Sequence, residues 1–114
     1  MKLFIKKDQS KKMMGGVSFE LNARVELTND ETELVKKYKA DKEGLLQKEV
    51  KIPFTGRAIR LNITIGSLIQ GQTFKCNDIA EILESEQNVK EACENFKNYL
   101  EVMKNFGGEE VAEF

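Results

Sequence analysis

The stretch 77–106, NDIAEILESEQNVKEACENFKNYLEVMKNF, decides the fold. Apolar residues recur at Ile79, Ile82, Leu83, Val89, Ala92, Cys93, Phe96, Tyr99, Leu100, Val102, Met103 and Phe106, with Glu, Lys and Asn between them. That spacing predicts a helix whose apolar stripe is wide enough to cover a sheet. Asn77 and Asp78 are the candidate caps, Glu81 is placed to answer Asp78, and Gly107-Gly108 predicts the stop. One unbroken helix of this length would run about 45 Å. A compact domain of this size is only about 35 Å across. The stripe is polar at residues 84–88, and Asn88 with Glu91 reads as a fresh capping box. The expectation is therefore a short helix, a kink near residues 85–88, and a long helix to residue 106. An unbroken helix would overhang instead and predict a helix-paired dimer.

The rest of the chain supplies what this helix covers. Val17, Phe19, Leu21, Ala23, Val25 and Leu27 alternate with polar residues, the signature of a half-buried strand. Ahead of it, Leu3-Phe4-Ile5 predicts a buried strand over residues 2–7, joined to it by a polar, glycine-ended connection over 8–16. Thr28 with Glu31 three residues later forms a capping box, and Leu34, Val35 and Tyr38 give the helix that follows one narrow apolar face. Gly44-Leu45-Leu46 reads as a connection. Val50, Ile52 and Phe54 alternate next, with Pro53 marking an edge or an early strand end. After a turn at Thr55-Gly56, Ile59, Leu61, Ile63 and Ile65 predict another half-buried strand. A turn over Gly66–Gly71 and a short strand over Gln72–Lys75 lead into the main helix. Residues 109–114 either add a last strand or stay loose. Short turns between successive strands predict an antiparallel sheet. The fold class is α+β: one two-layer domain over residues 1–114, a mainly antiparallel sheet of 4–5 strands packed against a short helix and a long, possibly kinked C-terminal helix.

Composition narrows the function classes. The chain is 40% apolar and 32% charged, which is ordinary for a globular protein. No apolar run reaches the length of a membrane span and the N-terminus lacks a signal-peptide core, so a cytoplasmic protein with no membrane partner is expected. Cys76 and Cys93 do not form a metal spacing, and no histidine completes a site or serves as a general base near neutral pH. No catalytic, metal or cofactor site is expected, and the enzyme reading is disfavoured without being closed. Residues 1–60 hold 14 Lys/Arg and 9 Asp/Glu, whereas residues 61–114 hold 4 and 10. A basic half of +5 thus precedes an acidic half of −6. This reads either as two partner surfaces of opposite sign or as a basic sheet complementing an acidic helix.

Each local signal has a bland reading beside it. Gly66 and Gly71 have phosphate-loop spacing, but Gln72 and Thr73 follow where Lys and Ser/Thr are needed, so they read as turn glycines. Lys6, Lys7, Lys11 and Lys12 with Met13 and Met14 make a basic, methionine-tipped loop able to touch nucleic acid or an acidic partner. The sparse aromatics around it favour a solvated hairpin. Arg24, Arg57 and Arg60, with Asn22 and Asn62, form a donor-rich anion surface if their strands are neighbours; cross-strand pairing with Glu20 and Glu26 is the plainer expectation. Cys76 precedes a helix N-terminus, where a thiolate is stabilised, yet a buried small hydrophobe is the commoner role. The acidic face of the long helix reads as solvated, with Glu86 and Lys90 as an i,i+4 pair. The leading expectation is a non-catalytic interaction module that binds another protein or itself. Nucleic-acid binding through the basic N-terminal half is the alternative.

Overall fold

The structure, a computed structural model, describes residues 1–11, 15–51, 57–106, 108–109 and 111–114. Of Lys51 and Ile59 only the backbone is described. The chain is α+β. Its elements run β1 (Lys2–Lys11), β2 (Val17–Glu26), α1 (Asn29–Tyr38), a 3-10 turn (Ala40–Lys42), β3 (Gly44–Lys51), β4 (Ala58–Thr64), α2 (Ile65–Gln70), β5 (Gln72–Cys76) and α3 (Ile79–Lys104). The strands do not form one sheet. Antiparallel pairing gives a three-stranded sheet in the order β1-β2-β5 and a separate two-stranded sheet, β3-β4.

The central strand β2 carries the alternation as expected. Leu21, Ala23 and Val25 are buried on one face, with Asn22, Arg24 and Glu26 on the other. Strand β1 is longer than the predicted 2–7, because pairing with β2 continues through Lys11 opposite Val17. Its apolar run is not uniformly buried. Leu3 and Ile5 pack inward, while Phe4 stands 41% exposed on the outer face under the guanidinium of Arg24, 4.5 Å from the ring centroid. That contact is a cation–π pair. Helix α1 starts at the predicted box: Glu31 N–H donates to Thr28 Oγ1 at 3.2 Å and Thr28 N–H to Glu31 Oε1 at 2.9 Å.

Three expectations are overturned. The long helix is continuous over Ile79–Lys104, with no break at residues 85–88. Its polar stripe positions are satisfied from outside the helix. Glu86 meets Lys7 of β1 at 2.6 Å, and the buried Asn88 accepts from Lys48 Nζ of β3 at 3.1 Å instead of capping a new helix. A polar residue interrupts a helix when its side chain competes for the helix's own backbone; here that side chain is engaged by the sheets. Second, Gly66–Gly71 is not a plain turn but holds α2, started by a reciprocal box between Thr64 and Ser67 that buries Ile65 and Leu68. Third, Gly44–Leu46 belongs to β3, entered through a bulge. The end of the Val50–Phe54 alternation and the Thr55-Gly56 turn fall on residues 52–56, outside the described residues.

Helix α3 buries Ile82, Val89, Ala92, Cys93, Phe96, Leu100 and Met103, and the core unites this stripe with β2, β5, the base of the β3-β4 hairpin and α2. Leu45 and Ile63 at the hairpin base are buried, whereas Glu49 and Arg60 further out are exposed. The Cα radius of gyration is 17.1 Å and the extents are 61 × 33 × 20 Å. A compact chain of this length would give about 13 Å. The 26-residue helix α3 alone runs about 39 Å, longer than the two shorter extents.

Candidate functional site

The residues singled out in the sequence do not converge. Lys6 lies on the outer face of β1, 3.9 Å from Asp8. Lys7 points inward and bridges to Glu86, which also takes Lys90 at 3.2 Å. An inward lysine on an edge strand discourages a further strand from pairing there. Lys11 is exposed at the end of β1, and Lys12, Met13 and Met14 lie outside the described residues. Arg24 belongs to the three-stranded sheet, beside Glu26 at 3.8 Å. Arg60 lies on β4 and Arg57 just before it, both exposed. The three arginines therefore share no sheet face, and the imagined anion surface is split between two sheets. Asn22 instead joins a polar network, accepting from Thr73 Oγ1 at 2.6 Å and donating to Asp8 at 3.4 Å.

The thiols are structural. Cys76 is buried, 3.6 Å from Ser85 Oγ, with Phe74 O 3.9 Å away. Burial, reinforced by Glu81, Asp78 and Glu84 against the Ser85 contact, pushes its pKa up. Burial does the same to Cys93. A neutral, enclosed thiol is a poor nucleophile. Much of the acidic face of α3 is likewise engaged. Asp78 caps α3 as expected, accepting from Glu81 N–H at 2.9 Å, while the Glu81 carboxylate accepts from Asn77 N–H at 2.7 Å; Glu84 lies 3.9 Å from Lys48; and Glu101 lies 3.8 Å from Lys104. Among the described residues no group of three or more His, Cys, Asp or Glu is arranged to hold a metal ion.

What the structure adds is a cleft. Strand β5 pairs with β2 only over residues 19–23; beyond it β2 keeps β1 on one side and packs against α2 on the other. A cleft of about 620 Å³ lies between β2, α1 and α2. Val25, Leu27, Val35 and Ile69 supply apolar surface, and Ile69 is 40% exposed there. Arg24, Lys36 and Lys39 stand at the edges against Glu26 and Asp41. Among the described residues neither Lys36 nor Lys39 makes an ion pair. Lys39 adopts a left-handed backbone (φ 51°) as the α1 C-cap, its N–H shared between the carbonyls of Lys36 and Val35.

The volume lies in the range of ligand sites. Two sequence signals pointed here unread. The β2 alternation spans eleven residues whereas the short strand predicted last spans four, so the two cannot pair along their full lengths. Ile69 is also an apolar residue, two before a glycine, in a segment read as a turn. Compared with protein-family models, with curated proteins and with solved structures, the chain shows no significant match.

Proposed function

We propose that this chain is a small, non-catalytic interaction module that binds another protein or a second copy of itself. The observation that carries the reading is the cleft between β2, α1 and α2, with the partly exposed Ile69 in its lining and Lys36 and Lys39 beside it, neither in an ion pair among the described residues. An apolar side chain of a partner would fill such a cleft and an acidic one would meet its lysines. No helix among the described residues is long and apolar enough to cross a membrane. A cytoplasmic setting is part of the proposal, supported by the two free cysteines.

The test is capture from host lysate after nuclease treatment, with the wild-type chain and the Ile69→Lys variant as parallel baits. Ile69 is partly exposed, so the substitution leaves the core alone. A discrete protein held by the wild type and lost by the variant supports the reading. Equal capture by both baits overturns it, as does capture by neither together with a chain that stays monomeric at high concentration.

Nucleic-acid binding through Lys6, Lys11 and Lys12 remains the second reading, with less behind it because Lys7 is engaged by Glu86. It would appear as nucleic acid in the untreated capture and as salt-steep affinity lost in Lys6→Glu/Lys11→Glu.

A further inference from the structure

Strand β1 is an outer strand of its sheet and pairs only with β2 among the described residues. None of its ten residues is buried. Yet Leu3 and Ile5 lie on the face where β2, one strand inward, buries Leu21, Ala23 and Val25. Helix α3 meets that face from beneath, through the Lys7–Glu86 contact. The side of β1 away from β2 presents a row of backbone N–H and C=O groups that no strand among the described residues satisfies.

We propose that this edge binds the same edge of a second copy, the two β1 strands pairing antiparallel about a two-fold axis at Ile5. The pattern of charges selects that register. When both α3 helices stay on one face of the joined sheet, residues that meet differ in number by an even amount. Like charges directly opposite each other are destabilising. An axis at Phe4 sets Lys2 against Lys6, an axis at Lys6 or Lys7 sets a lysine against itself, and an axis at Asp8 sets two carboxylates together. Axes nearer either end of β1 pair fewer residues. At Ile5 no like pair forms over Lys2–Asp8: Lys2 meets the partner's Asp8, Leu3 the partner's Lys7, Phe4 the partner's Lys6, and Ile5 the partner's Ile5. The inward Lys7 thus excludes the register centred on itself without closing the edge. In the chosen register its stem runs beside the partner's Leu3 while its ammonium stays on Glu86.

Among the described residues Lys2 makes no ion pair, and the only cation near Asp8 is Lys6 at 3.9 Å. Both ions are therefore better paired in the dimer, and the two-fold axis forms each pair twice. Apolar surface is covered as well. Phe4, 41% exposed with Arg24 on its ring, gains the stem of the partner's Lys6, and the half-buried Leu3 and Ile5 gain neighbours on their open side. Pairing an edge with itself uses that edge in both copies, so the assembly closes as a dimer. This surface lies on the opposite side of β2 from α2 and the cleft, so it goes beyond the reading above and does not rest on it.

The experiment is sedimentation velocity of the full chain over a wide concentration range, with Lys2→Asp, Asp8→Lys, the two combined, and Ile69→Lys. The wild type should dimerise as concentration rises. Each single change at the edge sets like charges opposite twice and should weaken the dimer about tenfold. The combined change restores unlike pairs and should recover it, and Ile69→Lys should leave it intact. Lys2 is exposed and Asp8 partly so, which spares the core in every variant. A monomer at every concentration overturns the proposal, as does a dimer indifferent to the single changes or one that the combined change fails to restore. A dimer lost in Ile69→Lys would belong to the cleft, which overturns this interface and leaves the interaction module standing. A dimer that follows the edge charges, beside equal lysate capture by the two baits, would do the reverse.

Discussion

Replacing Gly66 by alanine sets two physical effects against each other. Gly66 lies in the first turn of α2 without a positive φ. Helix propensity alone predicts that alanine stabilises it by about 0.5–1 kcal/mol. The tertiary structure predicts the opposite. A Cβ built at Gly66 would lie 2.9 Å from the backbone carbonyl oxygen of Asp41, inside the 3.4 Å where ordinary contact begins. Neither side yields easily. Helix α2 is held by Ile65 and Leu68, each 1% exposed, and the 3-10 turn is held by Ala40, also 1% exposed. Forcing extra atoms into such a packed contact costs about 1–3 kcal/mol. The net expectation is a loss of about 1–2 kcal/mol after subtracting the propensity gain. In urea unfolding followed by circular dichroism, the midpoint should fall with an unchanged slope. Gly44→Ala is the control, since its Cβ meets only side-chain ends, Gln47 Nε2 at 3.4 Å and Asn62 Oδ1 at 3.7 Å; it should leave stability within about 0.5 kcal/mol. A midpoint for Gly66→Ala at or above wild type would refute the close approach of α2 to the turn, and with it the wall that bounds the cleft.

The remaining expectations concern charge, thiols and the cleft rim. Hydrogen bonds from Lys7 and then Lys90 hold the Glu86 carboxyl below its ordinary value of 4.5, against a smaller opposing effect of burial. A depressed folded-state value stabilises the fold above the unfolded-state value, and that contribution is lost as pH falls through the folded-state value. Glu86→Gln should therefore cost about 1 kcal/mol at neutral pH, allowing for a half-exposed Lys7, and should flatten the acid limb of the stability profile; an unchanged profile would refute the bridge between β1 and α3. Cys76 and Cys93 should label with a thiol reagent near pH 8 only as fast as the fold opens. Labelling of either at the rate of an unfolded control would mean it is not enclosed. Lys39→Gly relieves a left-handed lysine (φ 51°) and should raise stability by about 0.5–1 kcal/mol; a urea midpoint at or below wild type would refute the strain at the α1 C-cap.

The sequence by itself determined the local elements. The alternation of Val17 to Leu27 specified β2, the Thr28–Glu31 pair specified the start of α1, and the apolar stripe specified α3, although Ile79, Leu83, Val102 and Phe106 of that stripe are exposed. Period and capping chemistry act over a few residues, so they can be read without knowing what lies opposite. Partners far apart in the chain decided the rest. Lys7 and Lys48 satisfy Glu86 and Asn88, so polar positions that read as a helix break lie within one continuous helix. The strands divide into two sheets because β5 returns to β2 instead of to β4, a choice made by long-range pairing. The cleft follows from that same choice: β5 pairs with β2 only over residues 19–23, so α2, not a strand, packs against β2 beyond it, and only the register shows where.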